Sequence, residues 1–520
     1  MSATRSRFRK LLPLVSVLAL VVPLVLALAA PVYAQGSLYV DHDTTRQCGG
    51  NATCYTTISL AVAAAVSGDT IYVYPGTYPE GVDLSLMPTH GDLTLMTVNN
   101  AGVPTPGTVT VENPGTGSEI YTAPGFDGDL TIDGFILHSV NPAINVRVGE
   151  GHDVEIRNVT ATNVKDDGIW VEARGNVTIT NCTASNNDGV GITVWETGGD
   201  VTITNCTANN NGGGEVYPGG AGILAYWIGG DLRITNSTTN DNRCADTEMG
   251  PESFAGCGTG IHIESVNGTV TVSNCTANGN ELAGVYARAY SYAPGASGGD
   301  LSITDSILRN NGAGLYWDWS GESISSLNRS IICGNGDGVY VPANQPLDAE
   351  GNWWGCAAGP GNAGCDSIGP TGPPVDFTPW ISQITSGATP DPVTVGQPTV
   401  VSFQFSGGPP AVYLGQGPGD LRGLAPFTVT TDNGSLNGAG PTVGAFINQD
   451  NGILEVTLVP ESEGTATVTV TGPCGLGELE GATAVLGVGA EFVPEPGTVL
   501  LLGSGLMGLA GYAGLRLRKR

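Results

Sequence analysis

Five residues of one recurring segment have types and spacing suited to chemistry: His262, Glu264, Tyr286, Arg288 and Asp318. Their segments read TGIHIES, AGVYARA and AGLYWDW. Aligned on the shared glycine, they put His262 and Tyr286 at one position and Glu264, Arg288 and Asp318 at another. If each segment is a strand and successive segments pair in parallel, these become two adjacent files on one outward face. β-Elimination of a uronate needs a base beside the sugar carboxylate and a cation to neutralise it, roles open to His262 or Tyr286 and to Arg288. Glu264 and Asp318 would stand two strand steps apart, about 9.6 Å. That lies just beyond the roughly 6.5–9.5 Å of inverting glycosidases. Arg288 between two carboxylates is equally a salt-bridge file with no reaction attached. The five residues are catalytic candidates, and catalysis is the lesser expectation.

The same alignment lengthens both files. The first runs Trp170, Thr193, Leu224, His262, Tyr286, Tyr316 and Tyr340; the second runs Glu172, Trp195, Tyr226, Glu264, Arg288, Asp318 and Pro342. Aromatic rings stack on sugar faces and flanking charges hold hydroxyls, so the binding candidates are Trp170, Trp195, Tyr226, Tyr286, Tyr316 and Tyr340. The opposing expectation is that a loop covers these rings or that neighbouring coils pack on them.

The elements that must position these residues are written in a repeat. It reads GDLTIDGF from Gly128, HDVEIRNVT from His152, GNVTITNCT from Gly175, GDVTITNCT from Gly199, GDLRITNST from Gly230, GTVTVSNCT from Gly268 and GDLSITDSI from Gly299. Its first apolar positions, Leu130, Val154, Val177, Val201, Leu232, Val270 and Leu301, are 24, 23, 24, 31, 38 and 31 residues apart. A period near 24 without helical patterning predicts one solenoid coil per repeat. Alternation predicts Val177 and Ile179 inward and Thr178 and Thr180 outward. Asn181, Asn205, Asn236 and Asn274 are expected to stack inward as an amide ladder, with Cys182, Cys206 and Cys275 beside them as small apolar fillers. The longer spacings predict loop insertions around 211–220, 243–259 and 289–298.

These features resemble the pectin-lyase-like right-handed parallel β-helix proteins over roughly residues 37–385. TISLAVAAAVSGDTIYVYPGTYPE, from Thr57 to Glu80, resembles their opening, a short capping helix followed by a strand. GNWWG at Gly351–Gly355 resembles their terminal coil. Asp166-Asp167-Gly168 resembles the paired aspartates of β-helix polygalacturonases, but that family's Asn-Thr-Asp, Gly-His-Gly and Arg-Ile-Lys motifs are missing. A turn is the simpler expectation there. Asp127, Asp129 and Asp133 are acidic enough for calcium but lack the further ligands of an EF-hand loop. No metal site and no cofactor are expected beyond loosely held Ca2+.

After the solenoid, PTVVSFQF, NGILEVTLVP and GTATVTVTG read as separate strands of a β-sandwich that resembles bacterial Ig-like domains. The ends read as addresses. Residues 1–34 carry a basic start, an apolar run and the small-residue site Val32-Tyr33-Ala34, as a signal peptide does. Pro494, Glu495 and Pro496, an apolar stretch from Thr498 to Leu515, and Arg516 and Arg518 resemble the PEP-CTERM sorting signal of Gram-negative bacteria. That resemblance implies a transmembrane helix, an exosortase-type processing enzyme as partner, and delivery to the outer surface or exopolysaccharide matrix. The organisation expected is a signal peptide over 1–34, the β-helix over 35–386, the Ig-like sandwich over 387–490 and the sorting signal over 491–520.

Charge narrows the partners. The chain carries −29. Without its basic start and the tail from Pro494, 11 basic residues face 47 acidic ones, near −36. Such a body repels nucleic acid. Exported cysteines are expected to oxidise, and sequence proximity suggests Cys48 with Cys54, Cys244 with Cys257 and Cys356 with Cys365, leaving Cys333 and Cys474 unassigned. The sequence thus predicts an exported all-β protein presenting a carbohydrate-contacting face without catalysis. A polysaccharide lyase or glycosidase on that face is the alternative, and a protein-binding adhesin the second.

Overall fold

The computed structural model describes residues 36–490 except 214–219, 245–256, 289–298, 319–324, 342–345, 370–374, 407–426, 446–452, 475–480 and positions 44, 46, 52, 140 and 473. The expected signal peptide, the tail helix, Pro342, the 289–298 insertion and most of the other two insertions lie outside the described residues. Packing divides the chain into two units, 1–184 with 193–200 and 185–192 with 201–520.

The first unit opens with a cap. Ile58–Ala64 is an α-helix whose N-cap, Thr57, accepts a hydrogen bond from the Leu60 N–H. Glu80 accepts from the Ile58 and Ser59 N–H groups at 2.7 and 3.0 Å, so side chains satisfy helix donors that have no intrahelical partner. Ile58, Ala61 and Val62, spaced for one helical face, are buried. Coils follow. Leu93–Thr97, Leu130–Asp133, Val154–Arg157 and Val177–Thr180 pair in parallel with Leu93, Leu130, Val154 and Val177 in one file. Val177 and Ile179 are fully buried as alternation requires.

The second unit repeats this architecture. Val201–Thr204, Leu232–Thr235, Val270–Ser273 and Leu301–Thr304 form one parallel file series. Ile223–Ile228, Thr259–Val266, Ala283–Arg288, Ala313–Asp318 and Asp337–Tyr340 form another. With Thr238–Asn240, Thr276–Asn278, Ile307–Arg309 and Ile331–Cys333 as the third face, the chain is a right-handed parallel β-helix. Trp353 and Trp354 of GNWWG are buried, and Trp353 bridges to Ile331.

The inward asparagines are not the expected ones. Asn158, Asn181, Asn205, Asn236 and Asn274 all adopt φ between 52° and 56°. The left-handed turn breaks strand alternation, so the asparagine turns out to solvent and the next residue enters the core: Cys182, Cys206 and Cys275 are each 1 % exposed. These surface amides still link coils, Asn181 to Asn158 at 3.3 Å and Asn274 to Asn236 at 2.6 Å. The buried ladder lies in the second unit, in the Asn-rich turns. Asn211 donates to Asn242, Asn242 to Asn280, Asn280 to Asn311, and Asn311 to Asn335, at 2.9–3.0 Å, and Asn335 ends the file on Asp366 at 2.7 Å. The glycine that opens each aromatic segment is forced by this ladder. A Cβ on Gly260 or Gly284 would stand 2.6–2.8 Å from the next glycine's carbonyl oxygen and 2.9 Å from a ladder amide.

The second unit ends in a sandwich of two sheets, antiparallel except where Val393–Thr394 pairs in parallel with Thr483–Gly489. Gln383–Thr389, Thr399–Ser406, Ile453–Val459 and Ser435–Leu436 form one; Val393–Thr394, Thr483–Gly489, Gly464–Thr471, Phe427–Thr431 and Thr442–Ala445 form the other. Its first strand begins at Gln383, ahead of the expected 387. Val401, Phe403, Phe405, Val456 and Val468 share one buried cluster with Ile331, Cys333 and Trp353 of the last coils. Cys333 and Cys474, which sequence proximity left unassigned, form a disulfide across a separation of 141 residues. Cys48–Cys54, Cys244–Cys257 and Cys356–Cys365 are also joined.

Candidate functional site

Strand register brings the candidates together in the second unit. Leu224, His262, Tyr286, Tyr316 and Tyr340 are successive partners, as are Tyr226, Glu264, Arg288 and Asp318 beside them. The rings touch one another. Tyr286 and Tyr316 stack at 4.7 Å and 16°, Tyr316 and Tyr340 at 4.8 Å and 21°, and His262 meets Tyr286 edge-on at 5.0 Å. The stacking distance is the coil repeat itself, so inner ring faces are filled by the neighbouring coil. Tyr316, between two rings, therefore presents its edge and hydroxyl, Tyr340 pairs with Gly369 on its other side, and Tyr286 is buried at 3 % exposure.

The charges beside the rings sort into two pairs. His262 Nε2 lies 3.1 Å from Glu264 Oε2, both buried. Arg288 Nε lies 3.3 Å from Asp318 Oδ2, with Asp318 36 % exposed. The expected Glu–Arg–Asp file thus resolves into His–Glu and Arg–Asp. Burial drives the Tyr286 hydroxyl pKa well above the usual phenol range, only partly offset by the Arg288 charge and hydrogen bond. The phenol stays protonated and can donate, not abstract, a proton. His262, for its part, is buried against Glu264.

One aromatic was missed by sequence reasoning. Trp227 follows Tyr226, and strict alternation sends it inward. It instead adopts φ 56°, stands 41 % exposed and lies 4.9 Å from the Tyr226 ring. Its strand partner position, Ser265, has φ 58°. A left-handed residue lets two consecutive side chains face outward before Ile228 re-enters the core. Such a conformation is an outlier for a bulky residue. A partial signal was present: the aligned position holds Glu196, a charge that a core strongly disfavours. Trp227 is the one exposed tryptophan among the described residues.

In the first unit, Trp170 pairs with Asn145 and Glu172 with Arg147. The Arg147 guanidinium lies 4.5 Å over the Trp170 ring and its Nε 3.7 Å from Glu172. That ring face is occupied by the chain's own cation. Trp195 is half-buried in Ile192–Thr197.

Residues 120–294 match the family described as "Right handed beta helix region". Residues 492–519 match the PEP-CTERM protein-sorting motif, which marks export to the bacterial cell envelope or surface. No curated protein matches the chain. Among solved structures, the chain is similar to pectate lyase Pel9A at 15 % identity, over 66 % of this chain and 80 % of that one, with TM-score 0.36. It is also similar to the Azotobacter vinelandii mannuronan C-5 epimerase AlgE4 A-module at 16 % identity, over 61 % and 95 %, with TM-score 0.36. A rhamnogalacturonan lyase gives 14 %, 66 %, 87 % and 0.27. Likeness at this level carries nothing about activity.

The acidic turns of the β-helix have structural partners. Asp92, Asp129 and Asp153 each accept a backbone N–H from the following coil at 2.7–3.0 Å, as Asp231 does at 2.8 Å in the second unit. Asp127 and Asp129 both meet the His152 ring, at 2.7 and 3.4 Å, while Asp133 holds Arg157 and Asn158, so the three aspartates do not share one ligand set. Asp92, Asp129 and His152 do come within 4.8 Å of one another. Asp167 is buried and accepts from the Thr193 hydroxyl at 2.7 Å, and burial raises the pKa of Asp166.

Proposed function

We propose that this is an exported protein of the bacterial surface or exopolysaccharide matrix whose β-helix contacts carbohydrate along one lateral face without cleaving it, the sandwich serving as spacer. The observation that carries this reading is Trp227, an exposed tryptophan in a costly backbone conformation beside Tyr226. The left-handed turn recurs at the aligned Glu196 and Ser265, so it belongs to the coil, and the exposed tryptophan is what is particular to this one. The file that starts at Tyr226 continues through Glu264, Arg288 and Asp318, bordered by the hydroxyls of Tyr316 and Tyr340. Aromatic faces, carboxylates and hydroxyls in one strip are what a polyhydroxylated chain needs.

The absence of cleavage is supported by the pairing of His262 with Glu264 in a buried position and by the protonated state of Tyr286. The test is retention on immobilised glycans. Trp227→Ala should weaken retention on the cognate glycan about tenfold, within the ~0.5–2 kcal/mol of a lost stacking or cation–π contact. Unchanged retention removes the strip from consideration. Accumulation of unsaturated or reducing-end product, lost in His262→Ala, would establish the lyase or glycosidase alternative instead.

A further inference from the structure

We propose that a second face of the β-helix binds the sulfate esters of a sulfated polysaccharide, through Arg309 and the side-chain amides of Asn240 and Asn278. This face is the sheet of Thr238–Asn240, Thr276–Asn278 and Ile307–Arg309, and the site is independent of the aromatic strip. Strand register puts Asn240, Asn278 and Arg309 in one file, at steps of about 4.8 Å. Thr239, Ala277 and Leu308, which precede them, fill the core. The file therefore faces outward, and each of its three members is half-buried.

Hydrogen bonds fix which way the amides point. A backbone N–H can only donate, so the side-chain atom that meets it is the oxygen. Asn209 Oδ1 accepts from the Asn240 N–H at 2.7 Å, and Asn240 Oδ1 from the Asn278 N–H at 3.0 Å. Asn278 Oδ1 accepts from Asn310 Nδ2 at 2.9 Å. Each carboxamide oxygen is committed to the next coil, and the amide nitrogens of Asn240 and Asn278 have no acceptor among the described residues. The file continues to a cation. Arg309 makes no ion pair among the described residues, and its Nε is buried without a hydrogen-bond partner. That separates it from Arg147, Arg157, Arg174, Arg288 and Arg329, each of which a carboxylate holds. A guanidinium beside donors that lack acceptors is complementary to an oxyanion. A carboxylate's two oxygens are filled by one guanidinium, whereas a sulfate ester keeps a third for the amide on the adjacent coil. The file holds no ring on which a base could stack, which favours a glycan over a nucleic acid. The chain's −29 opposes any polyanion at a distance, but salt at physiological strength screens that repulsion beyond about 8 Å, so short-range contacts decide.

The test measures affinity of the full chain for dextran sulfate, unmodified dextran and polygalacturonate at physiological salt. Dextran sulfate is expected to bind at least tenfold more tightly than either of the others. Arg309→Gln should weaken it about tenfold. Asn278→Asp keeps the oxygen that takes the Asn310 amide but removes the donor, and should weaken it severalfold. Asp241→Asn removes a carboxylate beside Asn240 and should strengthen it severalfold. Arg233→Gln removes the same charge as Arg309→Gln from an exposed position on another sheet and should leave affinity unchanged. Equal losses in Arg309→Gln and Arg233→Gln would mean bulk attraction and overturn the proposal. Dextran or polygalacturonate binding as tightly as dextran sulfate would overturn it too, as would no binding to any of the three. The aromatic strip is read separately, by Trp227→Ala.

Discussion

Glu119 shows what burial does to a single carboxyl. It is fully buried at the start of Ile120–Tyr121, its Oε1 accepts the His138 N–H at 3.0 Å, and burial pushes its pKa to about 7. Between the ordinary value near 4.5 and about 7 the folded chain holds a proton that the unfolded chain has released. The stabilisation from this group is complete below about 4.5 and lost as pH rises through about 7. A shift of this size corresponds to about 3 kcal/mol. Glu119→Gln should therefore flatten the fall in melting temperature between pH 5 and 8. A variant whose slope matches the parent's would show that Glu119 is not the responsible group.

At the scale of elements, the amide ladder outweighs the surface asparagines. Asn280 is 1 % exposed, donates to Thr239 O and Asn311, and accepts from Asn242. Asn280→Ala leaves buried partners on both sides unsatisfied, at about 1–3 kcal/mol each, so the expected loss is about 3–5 kcal/mol by urea denaturation. Asn274, exposed in its left-handed turn, should tolerate glycine with a change below about 1 kcal/mol. Equal losses at the two sites would deny the buried ladder its role. Tyrosine stacking belongs to the same scale. Tyr286, Tyr316 and Tyr340 pack at the coil spacing, which makes them part of what holds coils in register.

For the molecule, the disulfide Cys333–Cys474 ties the last β-helix coils to the sandwich, where both already share a buried cluster and Trp353 Nε1 donates to Cys474 O at 3.1 Å. Closing so long a loop restricts the unfolded chain and is worth up to about 5 kcal/mol. The double variant Cys333→Ala, Cys474→Ala should unfold at lower denaturant than the parent when oxidised. Under a reductant that opens this bond the two should coincide. A variant as stable as the oxidised parent would assign the joint to packing alone.

The sequence by itself determined the coil. A repeat near 24 residues, apolar alternation at Val177 and Ile179, the capping helix before the first full coils, and the files that join His262 to Tyr286 and Glu264 to Arg288 all follow from local pattern, because parallel strands in register copy the repeat's own alignment. Tertiary structure alone decided which polar groups lie inside and which outward aromatics remain open. Asn181 turned out and Asn280 in, Trp227 escaped alternation, Tyr286 lost its ring faces to neighbours, and Cys333 found Cys474. Each depends on a single left-handed residue or on a partner a coil or a domain away, and neither leaves a period in the chain.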